Sequence, residues 1–143
     1  MPILSAYRRI SPVGRLGWLR SSIGALCGII LTGLVCRLWL GSNDGLPILI
    51  APMGASAVLL FAVPASPLAQ PWSIFGGNVL SALAGIGWGM VIHDPVVAAG
   101  FAIATAIGLM SLCRCLHPPG GAVALTAVIG GPAISAAGWS LAL

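Results

Sequence analysis

Three apolar runs, at about 19–41, 74–93 and 96–116, each reach the roughly 20 residues a helix needs to cross a bilayer. No other feature of the chain restricts its fold as strongly. Only 6% of its 143 residues are charged, against roughly a quarter in a soluble domain, so a water-facing surface cannot be assembled from it. The apolar runs are interrupted mainly by Gly, Ala, Ser and Thr, the small residues that let helices approach closely in lipid. The expected fold is all-α: a polytopic transmembrane helix bundle, forming a single domain over 19–143 behind a basic lead at 1–18.

The formal net charge of +4 comes from six arginines and two aspartates. Arg8, Arg9, Arg15 and Arg20 sit before or at the edge of the first run, where basic residues fix orientation by the positive-inside rule. A cytoplasmic N-terminus is therefore expected, in the inner (plasma) membrane of a bacterium. A nucleic-acid partner is not, because that needs a basic face with stacking aromatics. The first run exceeds the roughly 7–15 apolar residues of a secretory signal and reads as a retained span.

Between the long runs lie two shorter segments, 52–63 and 118–129, each opening on proline and glycine. Pro52-Met53-Gly54-Ala55-Ser56-Ala57-Val58 matches Pro119-Gly120-Gly121-Ala122-Val123-Ala124-Leu125 as Pro-x-Gly-Ala-x-Ala-aliphatic. Each follows a long run containing Cys-Arg, at Cys36-Arg37 and at Cys113-Arg114. This predicts an internal two-fold repeat of long helix, short Pro-Gly-led helix and long helix, a pattern that in transporters marks a site at the repeat interface. The run from Ala133 to Leu143 stops short of bilayer length, and a truncated last helix is expected. Packing of that helix against a second copy, in a homo-oligomer, is the alternative.

Proline is tolerated in the first helical turn, where its missing N–H has no intrahelical use, so Pro52, Pro118 and Pro119 are each expected to open a helix. Bare amides at Gly54, Gly120 and Gly121, beside Ala55, Ser56 and Ala122, would then hold a small anion at a positive helix end. Arg37 and Arg114 could add charge to such a site. The competing reading is that the two segments start helices at the membrane surface, with the glycines serving close packing and the arginines snorkelling. His117 could cap the following helix, titrate near neutral pH or contact the substrate. His93-Asp94 is a candidate proton-accepting pair, although its place in a turn explains it adequately.

The four cysteines, Cys27, Cys36, Cys113 and Cys115, lie in apolar runs and read as small hydrophobes. No metal or cofactor is expected: Cys113 and Cys115 are two apart and would face different sides of a helix. Nor is an enzyme, since Ser56, Ser73 and Thr126 have no local base and the chain has no glutamate.

Ala51 to Phe61, Gln70-Pro71-Trp72, Gly76-Gly77-Asn78 and His117-Pro118-Pro119-Gly120-Gly121-Ala122, taken in this order, resemble the HPP family of integral membrane proteins. The resemblance implies a membrane protein of few helices and, from plastid and cyanobacterial members, a role in nitrite transport. It also adds Asn78 to the candidate site as a motif position. The expected function is thus a transporter or channel for a small inorganic anion, nitrite first, with the lipid bilayer and that anion as partners. A non-transporting scaffold or sensor module is the alternative.

Overall fold

The computed structural model describes residues 17–40 and 46–130, and all secondary structure within them is helical. Five α-helices follow in order: α1 (Gly17–Leu40), α2 (Leu46–Ala62), α3 (Pro71–Val91), α4 (Pro95–Leu112) and α5 (Pro119–Ile129), with a 3-10 turn at Pro67–Ala69 before α3. The expected final helix and the arginines of the N-terminal lead, apart from Arg20, lie outside the described residues.

α1, α3 and α4 have 24, 21 and 18 residues, so at 1.5 Å per residue they extend about 36, 31 and 27 Å, enough to cross a bilayer. These are the three spans the sequence predicts. α5, with 11 residues, extends only about 16 Å.

α2 corrects the expectation. It begins at Leu46, so Pro47 occupies its first turn and Pro52 lies inside the helix. An internal proline removes one i→i−4 bond, a loss that membrane helices tolerate when neighbouring groups re-satisfy the freed carbonyl. With 17 residues α2 is about 25 Å long rather than a short half-helix. Of the two Pro-Gly-led segments, only 118–129 opens at its proline.

α4 also ends earlier than its apolar run. Cys115 N–H donates to Met110 O at 2.9 Å and Arg114 N–H to Ser111 O at 3.2 Å, the paired bonds of a Schellman stop. The residue in the left-handed position is Arg114, at φ 53°, where glycine is usual.

Packing follows the membrane pattern of small residues inside and large ones outside. Ala98, Ala102, Ala106 and Met110 form the buried stripe of α4, spaced four apart, while Leu38, Phe75, Met90, Val96 and Leu112 point outward. Gly24 and Gly28 of α1 lie against the Phe61 ring of α2, and Ser21 Oγ donates to Phe61 O. These contacts place the start of α1 beside the end of α2, as in an antiparallel hairpin. Along α3, Gly77 abuts His117, Gly85 abuts Ala124 and Ala127, and Gly89 approaches Val128. α5 therefore runs parallel to α3 and opposite to α4. Helices α3, α4 and α5 share one core, tied by the Trp88 Nε1–H bond to Thr105 Oγ1 at 2.9 Å.

Candidate functional site

Where α4 stops, the chain turns back into the bundle before α5 begins. Trp72 Nε1 donates to Cys113 O at 3.1 Å, so the turn is level with the first residues of α3. Four residues further, His117 meets Gly77, about 7.5 Å deeper along α3 at helical rise. The stretch from Cys115 to Pro118 is thus backbone without regular helix, below the end of a spanning helix, with Cys115 and His117 buried and Leu116 and Pro118 exposed. Such backbone persists in a membrane only where protein or a wet cavity covers it.

His117 is fully buried and joins three parts of the chain. Its Nδ1 lies 2.8 Å from Leu68 O, in the connection ahead of α3, and its Nε2 lies 2.9 Å from Ser56 Oγ on α2. A carbonyl oxygen only accepts, so Nδ1 carries the proton and the neutral ring offers the Nε2 lone pair to the Ser56 hydroxyl. The Ser56 hydroxyl has a second acceptor, Pro52 O, at 3.4 Å. The two Pro-Gly segments thereby meet at one hydrogen bond, Ser56 to His117.

The amides at the α5 start are not bare. Pro118 and Pro119 have none, Gly120 N–H donates to His117 O at 2.9 Å and Gly121 N–H to Pro118 O at 3.0 Å. The tight first turn consumes the donors that the sequence pattern offers to an anion. On α2, Gly54 and Ala55 sit past the first turn, so their amides belong to a helix interior. The positive helix end of α5 remains, carried by the aligned peptide dipoles. His117 joins that turn through its carbonyl; its side chain does not cap α5.

The two glycines of the motif differ. A Cβ added at Gly120 would lie 2.5 Å from Ser81 Oγ and 3.0 Å from Gly77 O, whereas one added at Gly121, or at Gly54, would meet nothing within 4 Å. Gly120 is needed for close approach to α3, while Gly54 and Gly121 border open space. Pro52 and Pro119 are buried, Ala122 is half-buried, and Ala55 and Pro118 are exposed.

Arg114 and Arg37 do not converge. Arg114 is exposed at the face where α4 ends, and Arg37 is exposed at the far end of α1, about 24 Å along the helix from Ser21. The candidate pair His93-Asp94 is divided by role: Asp94 Oδ1 accepts from Val96 N–H at 3.0 Å and Val97 N–H at 2.9 Å, capping α4. Asn78 follows Gly77, and its Oδ1 is buried without a hydrogen-bond partner among the described residues. Rotating that amide would present Nδ2, a donor, to the same place.

The fold and this interrupted helix pair define an integral, helical membrane protein. The transmembrane region of the HPP family matches residues 11–143, and the chain belongs to that family. It is 37% identical over 125 residues to one transmembrane protein of Dictyostelium discoideum, covering 85% of this chain and 43% of the relative. With a second transmembrane protein of the same organism it shares 38% identity over 116 residues, covering 78% of this chain and 36% of the relative. The chain thus spans less than half the length of these curated relatives. No solved structure matches it.

Proposed function

We propose that this protein is a transporter or channel for a small inorganic monoanion, with nitrite as the substrate to test first. The observation that carries this reading is the helix start inside the bundle, where Ser56 and His117 join two oppositely directed Pro-Gly segments at 2.9 Å. Discontinuous helices of this kind form the sites of many transporters, and half-helix N-termini there face anionic groups. A Cβ added at Gly54 or Gly121 would meet nothing within 4 Å, which leaves room there, and on α3 the buried Asn78 Oδ1 is a polar atom with no hydrogen-bond partner among the described residues. Because the α5 amides are engaged, anion selection falls to the helix dipole and to side-chain donors rather than to a cradle of backbone N–H groups. Arg114 stands at the same face as Arg20 near the start of α1, the face that the positive-inside rule would turn to the cytoplasm.

A scaffold or sensor role is the second reading, favoured by the same engaged amides and by the packing of Gly77, Gly85 and Gly120 against neighbouring backbone. Nitrite flux into proteoliposomes separates the two. Uptake above that of empty vesicles, saturating with nitrite, supports transport; a rate equal to empty vesicles from correctly folded protein leaves the scaffold.

A further inference from the structure

Resting on the transport reading, we propose that His117 is a proton-coupling site: it takes up one proton on Nε2 together with one bound monoanion, so that the pair enters the bundle electrically neutral. Helices α2, α3, α4 and α5 and the connection 63–70 contain no ionisable side chain. The groups near it in sequence are Cys113, Arg114 and Cys115, of which Cys113 and Arg114 are exposed and Cys115 is a buried thiol. Asp94, the one carboxylate among the described residues, caps the opposite end of α4. Among the described residues, an imidazolium at this position has no anionic partner.

Burying an unpaired charge is costly, and an opposite charge within about 4–6 Å favours the charged form. A monoanion at the α5 start would provide that charge. Proton and anion would then each raise the other's affinity by the same factor, as linkage requires.

The hydrogen bonds around the ring are built to accept the proton without moving heavy atoms. In the neutral state Nδ1–H is committed to Leu68 O and the Ser56 hydroxyl donates into the Nε2 lone pair. A proton from water added to Nε2 turns that nitrogen into a donor toward Ser56 Oγ. The Ser56 hydrogen then rotates to Pro52 O, already at 3.4 Å, whose carbonyl has a second lone pair. Imidazole becomes imidazolium, and no other bond is made or broken. Ser56 is half-buried while His117 is fully buried, so the hydroxyl is the more accessible end of the pair.

The test is a nitrogen-15 NMR titration of histidine-labelled protein in nanodiscs, from about pH 5 to pH 8. It is run in sodium nitrite and in sodium gluconate at equal ionic strength. The chain has two histidines, and exposed His93 is the internal reference. The expected result is that nitrite raises the His117 midpoint by about one pH unit or more, a tenfold gain in proton affinity, with His93 unmoved. In Ser56→Ala the shift is expected to shrink. Equal His117 midpoints in the two salts, or equal movement of His93, would overturn the proposal. Nitrite flux without the shift keeps the transport reading and removes His117 as coupling site; the shift without flux shows linked binding of proton and anion but removes transport, and with it the coupling role.

Discussion

Alanine at Gly77, Gly120 and Gly121 gives three opposed outcomes from one chemical change. At Gly77 the added methyl would sit 2.5 Å from His117 Cβ and 2.9 Å from Cys115 O, atoms fixed to backbone that cannot rotate away. At Gly120 it would meet Ser81 Oγ at 2.5 Å, which can turn, and Gly77 O at 3.0 Å, which cannot. At Gly121 it meets nothing within 4 Å. Overpacking a tight contact costs about 1–3 kcal/mol, and replacing a helical glycine by alanine returns about 0.5–1 kcal/mol. Gly77→Ala should therefore destabilise by about 2 kcal/mol, Gly120→Ala by about 1 kcal/mol, and Gly121→Ala should be neutral or stabilising. Adding Ser81→Ala should recover part of the Gly120→Ala loss, because it removes one of the two clashing atoms; coupling of this kind is what a double-mutant cycle reads. Thermal unfolding in a fixed detergent, followed by tryptophan fluorescence, gives the order. Equal loss at Gly120 and Gly121, or a neutral Gly77→Ala, would refute the packing argument.

Further outcomes follow from the same geometry. Arg114→Gly relieves a left-handed conformation that costs a side-chain-bearing residue roughly 1–2 kcal/mol, so its unfolding midpoint should rise; a fall would mean that the arginine side chain stabilises the turn more than its backbone strains it. His117→Ala leaves the part-buried Leu68 carbonyl without its donor and opens a cavity, and should cost about 2–4 kcal/mol, with His117→Asn recovering part of it as a donor to that carbonyl. Asp94→Ala removes the α4 cap and should lower stability by about 0.5–2 kcal/mol while leaving nitrite flux per folded molecule unchanged; a selective loss of flux would return His93-Asp94 to the coupling role.

The long spans were legible because length and apolarity alone make a bilayer helix, and α1, α3 and α4 fall within a few residues of the runs that announce them. Pro52 was not, since a proline opening a helix and one carried inside it look alike in sequence; the distinction came from Pro47, which takes the first turn instead. The end of α4 was hidden by Arg114 standing where a glycine would have signalled the stop. The motif His117 to Ala122 marks a helix start in sequence and in fold alike, but the short i→i−3 bonds that engage the Gly120 and Gly121 amides leave no trace in residue type. The contacts of His117 with Ser56 and Leu68 bridge 61 and 49 positions and arise from tertiary packing alone. Gly76-Gly77-Asn78 was visible as a motif, whereas its use as the surface that receives Cys115, His117 and Gly120 required the fold.

On the proposed reading, the junction of Ser56 and His117 belongs to an anion path rather than only to a structural joint. Nitrite flux by Ser56→Ala in proteoliposomes, measured beside the unfolding midpoint of the same preparation, tests it most directly. Flux should fall about tenfold or more while the midpoint drops by no more than the several degrees expected for one lost hydrogen bond, worth about 1 kcal/mol. Flux at the wild-type rate, or a loss of flux that only tracks the loss of folded protein, would contradict it.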